Sequence, residues 1–331
     1  KPDTRRCVEI STEAALREAV VSCLATTTPP PGGDIVGLLA PHAGLMYSGS
    51  VAACAYQAAA RGAYDVVVLV GPSHHVGFDG VAIADNTAFG TPLGPAPIAT
   101  DIAARLLDTP CIRRHPTAHE REHSLEMQLP FLRHLLPRTP IVPLLIGFQE
   151  RDTILALADT LAEVLAERTP LLVASTDLSH FFEARRAAEL DQVVIDYVTR
   201  YDPDGLLAEY ERYPPHERGR YVACGGGAVV AVMKAAAALG AREARVLRHA
   251  NSGDVSGDTS AVVGTPEGVR LTNAGATRTT GAVGTGPGRD TRAVGRSTTG
   301  GRGCSSRAWG PRVAHRRVRH ADPSGTATGV H

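Results

Sequence analysis

No apolar run in the chain approaches the ~20 residues that span a bilayer, and no secretory h-region opens it. The sequence therefore predicts no membrane segment. Six cysteines (Cys7, Cys23, Cys54, Cys111, Cys224, Cys304) show no Cys-x-x-Cys spacing, and free thiols in a reducing cytoplasm are the expectation. Net charge is also lacking, at +0 over 331 residues. That balance conceals an uneven distribution: Thr265 to His331 carries eleven arginines, no lysine and three acidic residues, leaving the remainder net acidic. An acidic body gives no electrostatic reason to expect nucleic-acid binding there. Several catalytic signatures are missing as well. There is no Gly-x-Ser-x-Gly elbow, no His-Glu-x-x-His, no P-loop glycine spacing with its lysine, and no EF-hand loop.

What is present is an alternation of short apolar runs with helical periodicities. Hydrophobic content of 43% and charged content of 21% suit a globular domain. Runs at 35–40, 66–70, 141–146 and 171–174 read as strands buried on both faces. A further strand is expected at 244–249. Helices are expected at 11–25, 50–60, 99–107, 122–136 (broken or restarted at Pro130), 152–167, 183–201, 204–213 and 228–239, with a β-excursion in 77–97. This order predicts an α/β fold with a mostly parallel sheet flanked by helices. The pattern stops near Gly264. The expected division is a metal-binding α/β domain over 1–264 and a disordered, low-complexity Arg/Gly/Thr-rich tail over 265–331.

Four histidine-bearing segments fall where a strand or an acidic helix would end: Pro41-His42-Ala43-Gly44, Gly71-Pro72-Ser73-His74-His75, Glu122-His123-Ser124-Leu125-Glu126 and Ser175-Thr176-Asp177-Leu178-Ser179-His180. Open α/β sheets place ligands beyond the carboxyl ends of their strands, so these histidines are candidates for one metal or acid–base site. His42 reads as a ligand or acid/base, or else as a loop histidine satisfied by backbone groups. Of His74 and His75, one is expected to enter the site while the other supports the turn. Asp177 and His180 share a side if their loop turns helically, so that the aspartate orients the imidazole; alternatively Asp177 caps the next helix. Glu122 and Glu126 share a helix face, where acidic residues also simply complement the helix dipole. Cys224, ahead of Gly225-Gly226-Gly227 at a helix mouth, reads as a low-pKa thiol or as a small buried apolar residue.

Taken together with Tyr47-Ser48-Gly49, Gln128-Leu129-Pro130 and Ala250-Asn251-Ser252-Gly253-Asp254, these motifs occur in an order that resembles the Memo family, which also appears in bacteria as protein B of the AmmeMemoRadiSam system. The resemblance covers about residues 34–264. It implies a fold like the class III extradiol ring-cleaving dioxygenases and a metal held by His42, His74 and Cys224. Asp177, His180 and His123 would line the same pocket, with His180 as acid/base. Fe(II) is the implied metal, and copper and zinc also suit thiolate with imidazole. The implied activity is a dioxygenase-like oxidoreductase. A metal-assisted hydrolase and a non-enzymatic module binding a peptide or partner protein are the alternatives. The implied ligand is a small molecule or peptide, and the implied partners are radical SAM and AMMECR-type proteins. The family's aromatic-rich opening has no counterpart in Lys1 to Glu9.

Overall fold

The structure is a computed structural model, and it describes residues 12–27, 34–248, 250–266 and 268–273. The expected tail beyond 273, Cys7, Cys304 and the linker residues 28–33 lie outside the described residues. Thirteen strands form among the described residues: β1 Ile35–Ala40, β2 Val66–Pro72, β3 Val81–Ile83, β4 Ala88–Phe89, β5 Ala96–Pro97, β6 Ile112–Arg114, β7 Ile141–Ile146, β8 Pro170–Ser175, β9 His180–Phe182, β10 Ala241–Val246, β11 Ala250–Asn251, β12 Val262–Thr265 and β13 Val269–Asn273.

Eight of them make one sheet in the order β10-β13-β1-β8-β2-β7-β3-β6. The four at its centre, β1, β8, β2 and β7, run parallel. They are the continuous apolar runs of the sequence, and every residue in them is buried, as strands covered on both faces require. Towards the edges the pairing turns antiparallel, β13 against both β1 and β10, and β3 against β7. The edge strand β10, Ala-Arg-Glu-Ala-Arg-Val, keeps Ala241 and Ala244 buried and its charges outside.

Two groups of helices accompany the sheet. Gly226–Ala238 packs on β1, β2 and β8 and between the helices Arg151–Val164 and Pro203–Glu211. Its small residues bury it almost all round, so its backbone lies close to the strands. The helices Glu13–Ala25, Leu45–Ala59 and Leu129–Leu135 pack on one another, with Leu45–Ala59 against β1.

The structure corrects four boundaries. The sheet does not stop at Gly264: β13 inserts between β1 and β10, and its Arg270 and Thr272 are buried with Val269 and Leu271. Composition hid this strand, because its polar residues are covered only once two neighbours flank it. The first helix after β1 starts at Leu45 rather than residue 50, with Gly44 at its N-cap. Gly49 therefore lies inside the helix, where a Cβ would come within 2.7 Å of Cys23 Sγ. The segment 122–136 is not one helix but a 3₁₀ turn, Glu126–Gln128, followed by Leu129–Leu135, which restarts with Pro130 in its first turn. The strand expected at 244–249 ends at Val246, having begun at Ala241.

Candidate metal centre

The parallel run β1-β8-β2 brings three strand ends to one edge of the sheet. The chain leaves β2 towards β3 and β7 but leaves β8 towards β10 at the opposite edge, so the two connections part between β8 and β2. A topological switch of this kind opens a crevice at the carboxyl edge. Pro41-His42 leaves β1, Ser73-His74 leaves β2, and Thr176-Asp177 leaves β8. The register sets Ala40 opposite Ser175, so His42 begins one step from the end of β8. Cys224 comes from the turn before the helix Gly226–Ala238. That turn approaches β8 closely: a Cβ on Gly225 would sit 2.4 Å from the Ser175 carbonyl oxygen, so only glycine fits.

These residues converge. Cys224 Sγ lies 3.2 Å from His42 Nε2. The ring of His74 is centred 5.1 Å from that of His42, and the ring of His123 is 5.5 Å from His42 and 5.0 Å from His74. Asp177 Oδ2 is 3.7 Å from His42 Nε2. Potential donor atoms form two overlapping groups that share His42, one with His74 and His123 and one with Asp177 and Cys224, each within 4.8 Å. His42 is deep, at 2% exposure, while His74 and His123 face the opening.

Behind the donors stands a set of hydrogen bonds. Glu122, 2% exposed, accepts from the His74 backbone N–H at 2.6 Å, and its other oxygen meets His74 Nδ1 at 2.8 Å and the Ser124 N–H at 2.9 Å. Ser175 Oγ lies 2.9 Å from His42 Nδ1. Asp177 Oδ1 accepts from the backbone N–H of His42 at 3.0 Å and of Ala43 at 3.3 Å, which fixes the turn out of β1. The Asp177 N–H points at Cys224 Sγ at 3.2 Å. Gln149 clamps the cysteine turn, donating to the Cys224 carbonyl at 2.7 Å and accepting from the Gly227 N–H at 2.8 Å.

Electrostatics follow from this packing. Burial would raise the Cys224 thiol, but the charge and hydrogen bond of His42 and a hydrogen bond from His74 outweigh it and bring it down to about 5. Burial would lower His74, yet its bonds to Cys224 and Glu122 lift it to about 10. Burial likewise opposes ionisation of Glu122, and the His74 contacts override it, to about 2. His42 is raised, against its burial, by Cys224 and Asp177. His123 goes the other way, to about 4, through burial and then the charges of His42 and His74. The cluster therefore favours a thiolate beside protonated His74, with His42 shifted the same way and His123 neutral at pH 7.

Of the sequence candidates, His42, His74, His123, Asp177 and Cys224 are brought together. His180 is not among those donor groups. It starts β9, its Nδ1 donates to the Leu178 carbonyl at 2.7 Å, and Phe181 beside it has φ of +62°. The loop is not helical, so the expected pairing of Asp177 with His180 is corrected: Asp177 serves the His42 turn instead. His75 is exposed, with its ring 6.2 Å from His123. Glu122 was legible as an acidic residue but read as a dipole partner, because its contact to His74 spans 48 residues of sequence. Ser175, Gln128 and Gln149 gave no signal beyond their places in or near motifs.

Comparison with known proteins points to one family. The profile of the Memo-like protein family matches residues 10–269. A MEMO1 family protein of Methanosarcina mazei is 36% identical over 234 residues, 70% of this chain and 84% of that protein. A MEMO1 family protein of Methanothermobacter thermautotrophicus is 35% identical over 262 residues, 76% of this chain and 92% of its own length. A MEMO1 family protein of Sulfolobus acidocaldarius is 36% identical over 240 residues, 71% and 82% of the two chains. A crystal structure of an uncharacterized Escherichia coli K12 protein overlays 72% of this chain and 98% of its own at a TM-score of 0.48 and 14% identity. The profile match spans β1 to the start of β13 and contains every residue of the cluster, and on that basis the chain belongs to the Memo-like protein family.

Proposed function

We propose that this chain is a mononuclear metal-dependent oxidoreductase, dioxygenase-like, whose Fe(II) is held by His42, His74 and Cys224. The observation that carries the proposal is the approach of Cys224 Sγ to 3.2 Å from His42 Nε2 beside the His74 ring, at the carboxyl edge of a parallel sheet. The donor chemistry fits a metal. The thiol is held low enough to be a thiolate at neutral pH, and thiolate with imidazole suits iron and also copper or zinc. Bound there, iron supplies redox chemistry with dioxygen, made more electron-rich by the thiolate than by a carboxylate.

The chain's own residues do the remainder. Asp177 fixes the His42–Ala43 turn, and Glu122 fixes the His74 ring. Neutral His123, facing the opening, is placed to hydrogen-bond a polar group of a small-molecule or peptide ligand. His180 donates its Nδ1–H to Leu178, which leaves Nε2 as the ring atom placed for moving a proton. Radical SAM and AMMECR-type proteins are the proposed partners.

Anaerobic purification with metal quantitation and spectroscopy tests the reading. About one iron per chain is expected, with a ferrous–thiolate signature that disappears in Cys224→Ser. His42→Ala and His74→Ala should lose the metal. Unchanged metal content in these variants, or zinc in fresh protein with oxygen-independent activity, refutes it.

A further inference from the structure

We infer that the segment Glu122–Gln128 is a positioning element that holds both His42 and His74 in the Nδ1–H form, with Nε2 turned to the crevice, and that Gln128 is its key residue for His42. The inference rests on the metal-site reading above and follows from counting donors and acceptors.

The chain of bonds begins at Tyr56. Its buried phenol, kept protonated by desolvation, donates to Gln128 Oε1 at 2.8 Å. The Gln128 amide nitrogen donates to the Pro41 carbonyl at 3.0 Å, an oxygen that can only accept, so the orientation of the amide is fixed. Its other hydrogen goes to Ser175 Oγ at 2.9 Å rather than to the Ser124 carbonyl, which is further off at 3.4 Å. Ser175 has one proton, and it goes to the Ser124 carbonyl at 2.6 Å. Ser175 Oγ therefore has only acceptor capacity left, and the atom 2.9 Å away, His42 Nδ1, must carry the hydrogen. Nε2, which shares a proton with Cys224 Sγ at 3.2 Å, is then the ring atom left to face the crevice once that proton is displaced.

The same segment treats His74 alike. Each Glu122 oxygen already accepts a backbone N–H, from His74 or from Ser124, and the His74 Nδ1 lies 2.8 Å from the oxygen that takes the Ser124 N–H, so Nδ1 is the donor there. Ser124 joins the two arms. Its N–H steadies Glu122, its carbonyl takes the Ser175 proton, and its hydroxyl donates to the Pro72 carbonyl at 3.0 Å. Gly71 gives the segment room, since a Cβ there would meet Ser124 Oγ and Leu125 at 2.9 Å. Gln128 and Ser175 are both fully buried, so no water competes for these bonds. A motif that reads in sequence as an acidic first turn thus acts on two histidines from two other strands.

The test uses the full chain loaded with zinc(II), which is diamagnetic and independent of iron or oxygen, with ¹⁵N-labelled histidine. In the wild type, the His42 and His74 ring protons are expected on Nδ1 with zinc on Nε2. Ser175→Ala should weaken zinc binding by about 10–100-fold, as loss of an outer-shell partner does. Gln128→Met, close in volume but unable to donate, should speed exchange of the His42 Nδ1 proton and weaken zinc by about tenfold. A wild-type His42 proton on Nε2 overturns the inference without any variant having to fold. Wild-type spectra and affinity in both variants also overturn it. Should His42→Ala bind zinc as the wild type does, the ligand assignment itself falls, an outcome distinct from failure of the positioning element alone.

Discussion

Replacing Glu122 by glutamine tests the best-connected group of the site. The carboxylate takes three hydrogens, two on one oxygen and one on the other. Glutamine keeps the shape, and its carbonyl can still accept from His74 Nδ1 and the Ser124 N–H. Its amino group then faces the His74 backbone N–H, donor against donor in a site where the Glu122 side chain is 1% exposed. A buried unsatisfied donor costs about 1–3 kcal/mol, and losing the charge in the bond to His74 removes roughly another 1–2 kcal/mol. The expected loss is therefore about 2–5 kcal/mol, read as a lower urea midpoint of the metal-free protein at pH 7. The sign with pH is set by the depressed Glu122 carboxyl. Its contribution is present above the ordinary carboxylate value of 4.5 and is lost as pH falls towards about 2. The stability difference between wild type and variant should thus shrink over that interval. Metal affinity should fall by about 10–100-fold alongside. A variant within about 0.5 kcal/mol of wild type at pH 7, with unchanged affinity, would show that the Glu122–His74 contact orients nothing.

Three further outcomes are expected. His119 is 6% exposed, its Nε2 is among the buried atoms with no hydrogen-bond partner, and burial brings it down to about 4 from 6.5. Its neutral form is the folded one, so it costs up to about 3 kcal/mol as pH falls from 6.5 to 4, and His119→Leu should flatten that limb of the stability curve in urea titrations. Gly225→Ala forces a Cβ against the Ser175 carbonyl, and should cost about 1–3 kcal/mol and displace Cys224, seen as a lower melting temperature with a reduced metal content. Gln149→Ala leaves the Cys224 carbonyl and Gly227 N–H without that partner; a loss of about 1–3 kcal/mol with weakened metal retention is expected in the same assays.

The strands β1, β2, β7 and β8 were legible because each is an uninterrupted apolar run, and a strand buried on both faces needs no partner-specific pattern. His42 and His74 stood out by following such strands and Cys224 by preceding a glycine-rich helix start, but it was the resemblance to the Memo family that set these three apart as one group. β13 was not, since Arg270 and Thr272 look like surface residues until β1 and β10 cover them. Nor was the role of Asp177. Whether it faced His180 or His42 depended on the loop after β8 being extended rather than helical.

The sequence by itself determined the layered α/β class, the parallel centre and the chemical kinds of donor, since these depend on local periodicity and on residue type. Tertiary structure decided which donors meet and in which protonation form. Placing β8 between β1 and β2 is a long-range choice, and it alone brings Ser175 to His42 and Asp177 to the turn out of β1. The bonds from Glu122 to His74 and from Gln128 to Ser175 likewise cross between segments far apart in the chain. No local pattern encodes such contacts, because hydrogen-bond direction is fixed only when every partner is in place.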